Sequence, residues 1–208
     1  MRRPAWLSGL TKKDFVGTKE FKAHPIKEVF DDKILRNYTL SDNDAEFGLS
    51  QSVPGDYHQR GSRFFLDLSK EDWHAYTDNF GTSEEKKFVL LIKNLIEDLR
   101  QKWSDVFLLR NEGAFKIYEF RTGKAFEPDY VLLANDQRDA SVSWQIFIEP
   151  KGGHLLEHDQ WKEDFLKEIG AEAKVVAENK DVRILGLPFY NSDLEQQEHA
   201  VETELRAL

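Results

Sequence analysis

The sequence has no cysteine among its 208 residues. This absence excludes a disulfide framework, a thiolate nucleophile and any Cys-ligated zinc or iron–sulfur site. The chain also lacks an apolar run approaching the roughly 18 residues of a membrane span. Met1-Arg2-Arg3 is not followed by the apolar core of a signal peptide. We therefore expect a cytoplasmic protein that neither crosses a membrane nor is exported.

Positive charge is also in deficit. Twenty-nine Lys and Arg residues face 38 Asp and Glu residues, so the net charge is −9 and the pI is near 5.2. An acidic balance counts against a nucleic-acid partner. The imbalance is uneven, however, because residues 1–36 carry a local charge of +4 and the remainder −13. This basic segment could follow a DNA backbone or could pack against another domain.

Aromatic residues, in contrast, are plentiful. Fifteen Phe and five Trp residues argue against disorder, because disordered chains are poor in aromatics. Hydrophobic periodicity is weak before about residue 80 and clear after it. We therefore predict an N-terminal connector over residues 1–80 and an α/β domain over residues 81–208.

The elements of that domain can be assigned from periodicity and capping signals. Thr82 and Glu85 have the spacing of a capping box, which predicts a helix over Ser83–Trp103. Ser192 and Glu195 have the same spacing and predict an acidic C-terminal helix. A further helix is expected over Asp159–Ile169, ending at Gly170. The predicted strands are Val106–Arg110 in a hairpin with Phe115–Phe120, then Phe126–Leu133 and Ser143–Glu149, and a final pair, Lys174–Ala177 with Val182–Leu187. This order predicts an α/β fold with a mixed central β-sheet flanked by helices.

Two short segments carry charged residues at the ends of predicted strands. Asp129 follows Pro128 at the start of one strand, and Glu149 and Lys151 close the next. Glu149 and Lys151 are two residues apart and project from the same face of an extended backbone. If the strands are neighbours, Asp129 lies beside Glu149. Two close carboxylates repel each other unless a cation neutralises them.

A hard divalent cation with oxygen ligands suits such a pair, so we predict Mg²⁺, with Mn²⁺ as a substitute, on Asp129 and Glu149. Pro150 cannot donate to a sheet ladder, and its free backbone carbonyl is a further candidate ligand. Glu85 could complete the cluster from the helix, although its capping role is an equally good explanation and Glu84 remains an alternative. Lys151 would then orient or activate a water and stabilise charge on a scissile phosphate.

The pattern Pro-Asp, about twenty residues, then Glu-x-Lys within a helix–strands–helix frame resembles the PD-(D/E)xK nuclease superfamily. Four flanking sequence segments strengthen the resemblance: Asn79–Lys86, Leu109–Glu112, Phe126–Asp129 and Phe147–Leu155. Together they resemble the C-terminal endonuclease domain of the restriction (Res) subunit of type III restriction–modification systems. The resemblance covers roughly residues 80–190.

This resemblance implies a restriction-endonuclease-like fold and Mg²⁺-dependent hydrolysis of DNA, with Asp129, Glu149 and Lys151 as catalytic residues. It also implies a helicase-like translocase and a Mod methyltransferase subunit as partners. The chain contains no Gly-x-x-x-x-Gly-Lys-Ser/Thr phosphate loop and is too short for the motor. We therefore interpret it as the nuclease part alone.

Other interpretations remain open from the sequence. Asp129, Glu149 and Lys151 could form a structural ion-pair network in a catalytically silent module that docks to the translocase or the methyltransferase. A Mg²⁺-dependent phosphoesterase for a small nucleotide is a third hypothesis. Lys162 could point toward the site, although an exposed helix face is its expected position. His154 and His158 could contact a phosphate or be ordinary loop residues.

Overall fold

A computed structural model describes residues 20–22, 65–76, 78–113, 116–139, 142–172, 174–176 and 181–208. The described elements, in chain order, are β1 (Glu20–Lys22), β2 (Phe65–Asp67), β3 (Asp78–Phe80), α1 (Ser83–Arg100), β4 (Trp103–Arg110), β5 (Ile117–Tyr118), β6 (Ala125–Phe126), β7 (Tyr130–Asp136), β8 (Val142–Ile148), α2 (Leu156–Glu172, after a 3₁₀ turn at Gly153–Leu155), β9 (Lys174–Val176), β10 (Asp181–Gly186) and α3 (Glu195–Ala207).

Among the described residues, the main sheet has four strands in the order β10-β8-β7-β4. β10 runs parallel to β8, whereas β7 is antiparallel to both β8 and β4. The ends of β4, β8 and β10 and the start of β7 therefore meet at one edge of the sheet. The fold is α/β with a mixed central sheet, as the order of predicted elements indicated.

Alternating side chains divide the core between the two faces of this sheet. Tyr130, Leu132 and Ile146 pack in one cluster with the apolar stripe of α1 and with Val201 of α3. The intervening residues of β7 and β8 face a second cluster, which includes Val131, Phe147 and three residues of α2: Phe165, Leu166 and Ile169. Because side chains of a strand alternate between faces, both faces of this sheet require a helical cover. α1 and α3 lie on one side and α2 on the other.

Residues 65–76 pack in the same core as residues of α1 and the main sheet. Leu68 and Trp73 are fully buried in the α1-side cluster. The Leu108 N–H donates to the Trp73 carbonyl over 2.6 Å, and the Ala75 N–H donates to the Leu108 carbonyl over 3.0 Å. β1 pairs in parallel with β9. Most of the basic segment, residues 1–36, lies outside the described residues, as do residues 37–64.

Several predicted elements differ in the structure. β4 does not form a hairpin with the next strand but pairs with β7, while β5 pairs with β6. The predicted final pair does not form either, because β10 pairs with β8 and β9 with β1. Gly170 lies inside α2. The Ser192 capping box is wrong, because Leu194 is the N-cap of α3 and its side chain makes no capping hydrogen bond.

The predicted box at the start of α1 is confirmed. The Thr82 N–H donates to Glu85 Oε2 over 2.5 Å, and the Glu85 N–H donates to Thr82 Oγ1 over 3.4 Å. None of the helices in the described ranges has the length and apolarity to cross a membrane.

Candidate active site

Three of the four central strands bring charged residues to the same edge of the sheet. Asp129 immediately precedes β7 and Glu149 immediately follows β8, and the register places Tyr130 opposite Ile148. Arg110 ends β4 opposite Tyr130. The predicted adjacency of Asp129 and Glu149 therefore follows from antiparallel pairing, since the start of one strand lies beside the end of its neighbour.

The Glu149 carboxylate lies at the centre of a compact ion-pair cluster. Its side chain is only 2% exposed. Its Oε2 accepts the backbone N–H of Asp129 over 3.1 Å. Its Oε1 lies 2.8 Å from the Lys151 ammonium and 3.2 Å from the Lys162 ammonium. A buried carboxylate needs such charged and hydrogen-bonding partners to offset the loss of its hydration.

Asp159, in the first turns of α2, completes the cluster from the helix. Its Oδ2 lies 2.8 Å from the Lys151 ammonium and 3.0 Å from the Lys162 ammonium. Burial opposes ionisation of Asp159, but hydrogen bonds from Lys151, His158 and Lys162 outweigh it and lower the pKa of this carboxyl. Two carboxylates and two ammonium groups therefore share four contacts, with each lysine between the same two acids.

Lys151 is held in its protonated form. Burial alone would lower the pKa of Lys151, but the Glu149 carboxylate and hydrogen bonds to Asp159 and Glu149 raise it above its ordinary value. At neutral pH the side chain is an ammonium group. It can orient a water or stabilise negative charge, whereas accepting a proton would first require the loss of its own.

Asp129 has the opposite environment. Burial, followed by the negative charges of Glu149 and Glu85, raises the pKa of Asp129 well above its ordinary value, and Lys151 and Arg110 only partly oppose this shift. Its backbone donates to Glu149 and accepts from the N–H of Asn111. Within the described residues its carboxylate has no hydrogen bond or ion pair. A bound cation would favour its charged form.

A second cluster occupies the α1 side of the same edge. Arg110 is buried, and its guanidinium lies 2.9 Å from Glu85 Oε1 and 2.8 Å from Glu112 Oε1. Gly81 allows this approach, because a Cβ there would lie 2.9 Å from Glu85 Oε2 and 3.0 Å from the Arg110 guanidinium. Glu85 thus has both the capping role considered from the sequence and an arginine partner. Its predicted place in a metal cluster stays a prediction.

Glu84, the alternative to Glu85, faces elsewhere. Its Oε2 accepts the N–H and hydroxyl of Ser192 over 2.8 and 2.9 Å, which joins α1 to the segment before α3. Ser192, predicted to cap α3, is therefore engaged by the neighbouring helix.

The carboxylate and carbonyl oxygens at this edge suit a hard cation, but the two carboxylates alone would not complete its coordination. Asp129 offers a carboxylate without a described partner, and Glu149 offers a second that already binds two ammonium groups. Pro150 and Tyr190 form an isolated β-bridge. Its hydrogen bonds use the Glu149 carbonyl and the Lys151 N–H, so the Pro150 carbonyl takes no part in the bridge. In the described ranges no group of three or more His, Asp or Glu side chains has the arrangement of a metal site. A cation would therefore combine two carboxylates with other oxygens.

Two residues of the cluster, Asp159 and Lys162, lie on α2. The sequence did not identify Asp159 as a site residue and favoured an exposed position for Lys162. Lys162 contacts Glu149 instead of occupying the exposed helix face expected for it. Asp159 was missed, although its spacing of three residues from Lys162 is a signal for a helical ion pair. His158 lies in α2 with its side chain 84% exposed, and its Nδ1 is 2.9 Å from Asp159 Oδ1. The side chain of His154 lies outside the described residues.

Comparison with known proteins adds a family. The model of the HI_1054_C family, described as a C-terminal domain, matches residues 66–205. A relative from Haemophilus influenzae, named only "Uncharacterized protein", is 33% identical over 190 residues, which is 86% of this chain. The chain spans 37% of the length of that relative. No solved structure matches. The chain belongs to the HI_1054_C family of C-terminal domains.

Proposed function

We propose that this chain is a metal-dependent endonuclease domain that hydrolyses DNA phosphodiester bonds, like the nuclease part of a type III restriction enzyme. One observation carries the proposal. The Asp129 carboxylate has its pKa raised by burial and by Glu149, lies beside that second carboxylate, and shares the sheet edge with the Lys151 ammonium. This combination of acids and ammonium groups suits the binding of a cation and the stabilisation of a phosphate.

In this proposal Asp129 and Glu149 hold Mg²⁺, or Mn²⁺ in its place, with the Pro150 carbonyl as a further candidate ligand and Glu85 as a weaker one. When bound, the ion would polarise the phosphate as a Lewis acid. Lys151 stays protonated and stabilises the negative charge that builds on the phosphate oxygens during attack by water. The Asp129 N–H orients the Glu149 carboxylate by donating to its Oε2.

The net charge of −9 supports a role for other protein regions in binding DNA. A domain this acidic provides little electrostatic attraction for a phosphate backbone. We therefore assign DNA affinity and sequence choice to a helicase-like translocase and a Mod methyltransferase. This chain spans only 37% of the length of the Haemophilus influenzae relative, which supports a domain that acts together with other protein regions.

The direct test uses supercoiled plasmid with Mg²⁺ or Mn²⁺. Wild type should nick or linearise the plasmid, and Asp129→Asn and Lys151→Met should each lower the rate at least a hundredfold. The matched control is Glu127→Gln, because Glu127 is an exposed acid two residues before Asp129 and, among the described residues, pairs only with the surface residue Lys116. Equal cleavage by all variants, or none by wild type with a supplied translocase, would refute the proposal.

The ion pairs of Glu149 with Lys151 and Lys162 favour a second candidate function. In that case the chain is a catalytically silent module that docks to the translocase or the methyltransferase. Both ammonium groups already neutralise Glu149 without a metal. Calorimetric titration with Mn²⁺ separates the two functions. A nuclease should bind Mn²⁺ in a manner that Asp129→Asn abolishes and Glu127→Gln preserves. A silent module should show no binding that depends on Asp129 or Glu149.

A further inference from the structure

The residues of α2 bear on how the site holds its lysines. Lys151 lies on an extended segment just after β8, and a lysine side chain has several rotatable bonds and no fixed direction. In the structure its ammonium is nevertheless held between two acids, Glu149 on its own strand end and Asp159 on the helix. Lys162 is held between the same two acids.

The two acids differ in what else they do. Glu149 is one of the two carboxylates proposed to bind the cation, so its contacts with the lysines compete with that binding. Asp159 contacts both ammonium groups through a single oxygen, Oδ2, and its other oxygen faces His158. Asp159 is thus the partner that can retain both lysines while Glu149 is engaged elsewhere.

Burial and nearby aromatic rings limit the hydration of both lysines. The Lys151 ammonium lies 5.9 Å from the centre of the Phe189 ring, and the Lys162 ammonium lies 5.6 Å from that of Phe126. The two side chains are only 12% and 21% exposed. An ammonium group in such a site needs a nearby negative charge, because aromatic rings replace only part of its hydration.

We propose that Asp159 is a positioning residue that keeps the ammonium groups of Lys151 and Lys162 at the sheet edge, so that both face the phosphate when Glu149 turns to the cation. The catalytic half of this inference rests on the proposed nuclease function. The positioning half rests only on contacts within this chain, so it can be tested separately.

The first experiment measures lysine reactivity in the full chain. Acetylation with N-hydroxysuccinimide acetate is followed by mass spectrometry, with Lys167 as an internal reference because it is 57% exposed on the same helix. Asp159→Asn should raise the rates at Lys151 and Lys162 at least fivefold relative to Lys167. Glu157→Gln is the matched control, since Glu157 is an exposed acid two residues earlier in α2, and it should change neither rate.

Two further variants exclude general loosening of the fold. Asp159→Glu keeps the charge and should restore protection to within twofold of wild type. Lys162→Gln removes one lysine but leaves both acids, and Lys151 should stay protected. If Asp159→Asn unfolds α2, the helical circular dichroism signal falls, and the Asp159→Glu variant then decides the matter. Unchanged Lys151 labelling in Asp159→Asn, or no rescue by Asp159→Glu, overturns the positioning role.

The second experiment connects positioning to turnover. With Mn²⁺ and plasmid, Asp159→Asn should lower kcat at least tenfold while KM and the Mn²⁺ dissociation constant stay within threefold. A loss of Mn²⁺ affinity instead would make Asp159 a ligand and overturn the proposal. If lysine labelling responds as expected but wild type cleaves no DNA, the nuclease function fails and the positioning role stands.

Discussion

A single methyl group at Gly186 should displace α2, the helix that carries Asp159 and Lys162 of the ion-pair cluster. Gly186 ends β10 and lies directly beneath α2. A Cβ at this position would lie 2.3 Å from the Leu166 carbonyl oxygen, 2.6 Å from its Cα and 2.7 Å from its carbonyl carbon. All three atoms belong to the helix backbone, so no change of side-chain rotamer can relieve the contact. In Gly186→Ala the helix itself must move away from the sheet.

The size of the effect follows from these distances. Non-bonded heavy atoms settle about 3.5 Å apart, so α2 must retreat by roughly 1 Å. Overpacking of this kind costs typically 1–3 kcal/mol, and a rigid backbone contact belongs at about 2–3 kcal/mol. For a chain of this size the melting temperature should fall by roughly 4–12 °C. Because Asp159 and Lys162 move with α2, their contacts with Lys151 and Glu149 should lengthen as well.

Urea denaturation followed by tryptophan fluorescence measures the free energy of unfolding. The control is Gly153→Ala, where the nearest atom to the new Cβ is Asn191 Nδ2 at 3.8 Å. This variant should stay within about 0.5 kcal/mol of wild type. Equal stability of Gly186→Ala and wild type would refute the close packing of α2 on β10. An equal loss in Gly153→Ala would refute the argument from contact distance.

Further predictions concern buried polar groups and the α1 cap. Arg110→Met should cost about 3–5 kcal/mol in urea denaturation, because Glu85 and Glu112 lose a buried counter-ion. Adding Glu85→Gln should recover part of that loss, and full additivity of the two changes would contradict the pairing. Burial lowers the pKa of His74 to about 4, below the 6.5 of the unfolded chain, so its stabilising contribution is complete above pH 6.5 and declines as the pH falls toward 4. Unfolding measured across this interval should show a loss of roughly 3 kcal/mol that a His74→Asn variant lacks, and parallel curves would contradict the assignment. Thr82→Ala should lower the unfolding free energy by about 1 kcal/mol, whereas Thr82→Ser should be neutral; equal losses would exclude the hydroxyl as the cap.

The parts of the fold that depend on local chemistry were predictable. Thr82 and Glu85 mark the start of α1 because a capping box satisfies backbone groups within four residues. The apolar stripe from Phe88 to Leu99 identified the buried face of the same helix. Pro150 marked the strand end at which Glu149 lies. The predicted strand Phe126–Leu133, in contrast, is divided between β6 and β7, and Asp129 lies just before β7.

Strand partners were less predictable, because several pairings satisfy the same alternating pattern. The Asn111-Glu112-Gly113 turn indicated a hairpin, yet β4 pairs with β7, and β5 and β6 form a small hairpin between them. Likewise, Ser192 and Glu195 have the spacing of a capping box. The Ser192 hydroxyl nevertheless donates to Glu84, which lies 108 residues earlier, and does not cap α3. A signal that spans four residues contains no information about a competing partner from another part of the fold.

The sequence by itself determined the α/β class and the first helix, because both depend on short-range patterns of polarity and backbone conformation. The meeting of Asp129 with Glu149, in contrast, requires the pairing of β7 with β8. The tertiary structure alone decided that α2 covers one face of the sheet, where Asp159 contacts Lys151 and Lys162 contacts Glu149. It also decided that Arg110 pairs with Glu85 on the opposite face. These contacts depend on how strands are ordered and which face each helix covers. Packing between distant segments sets both.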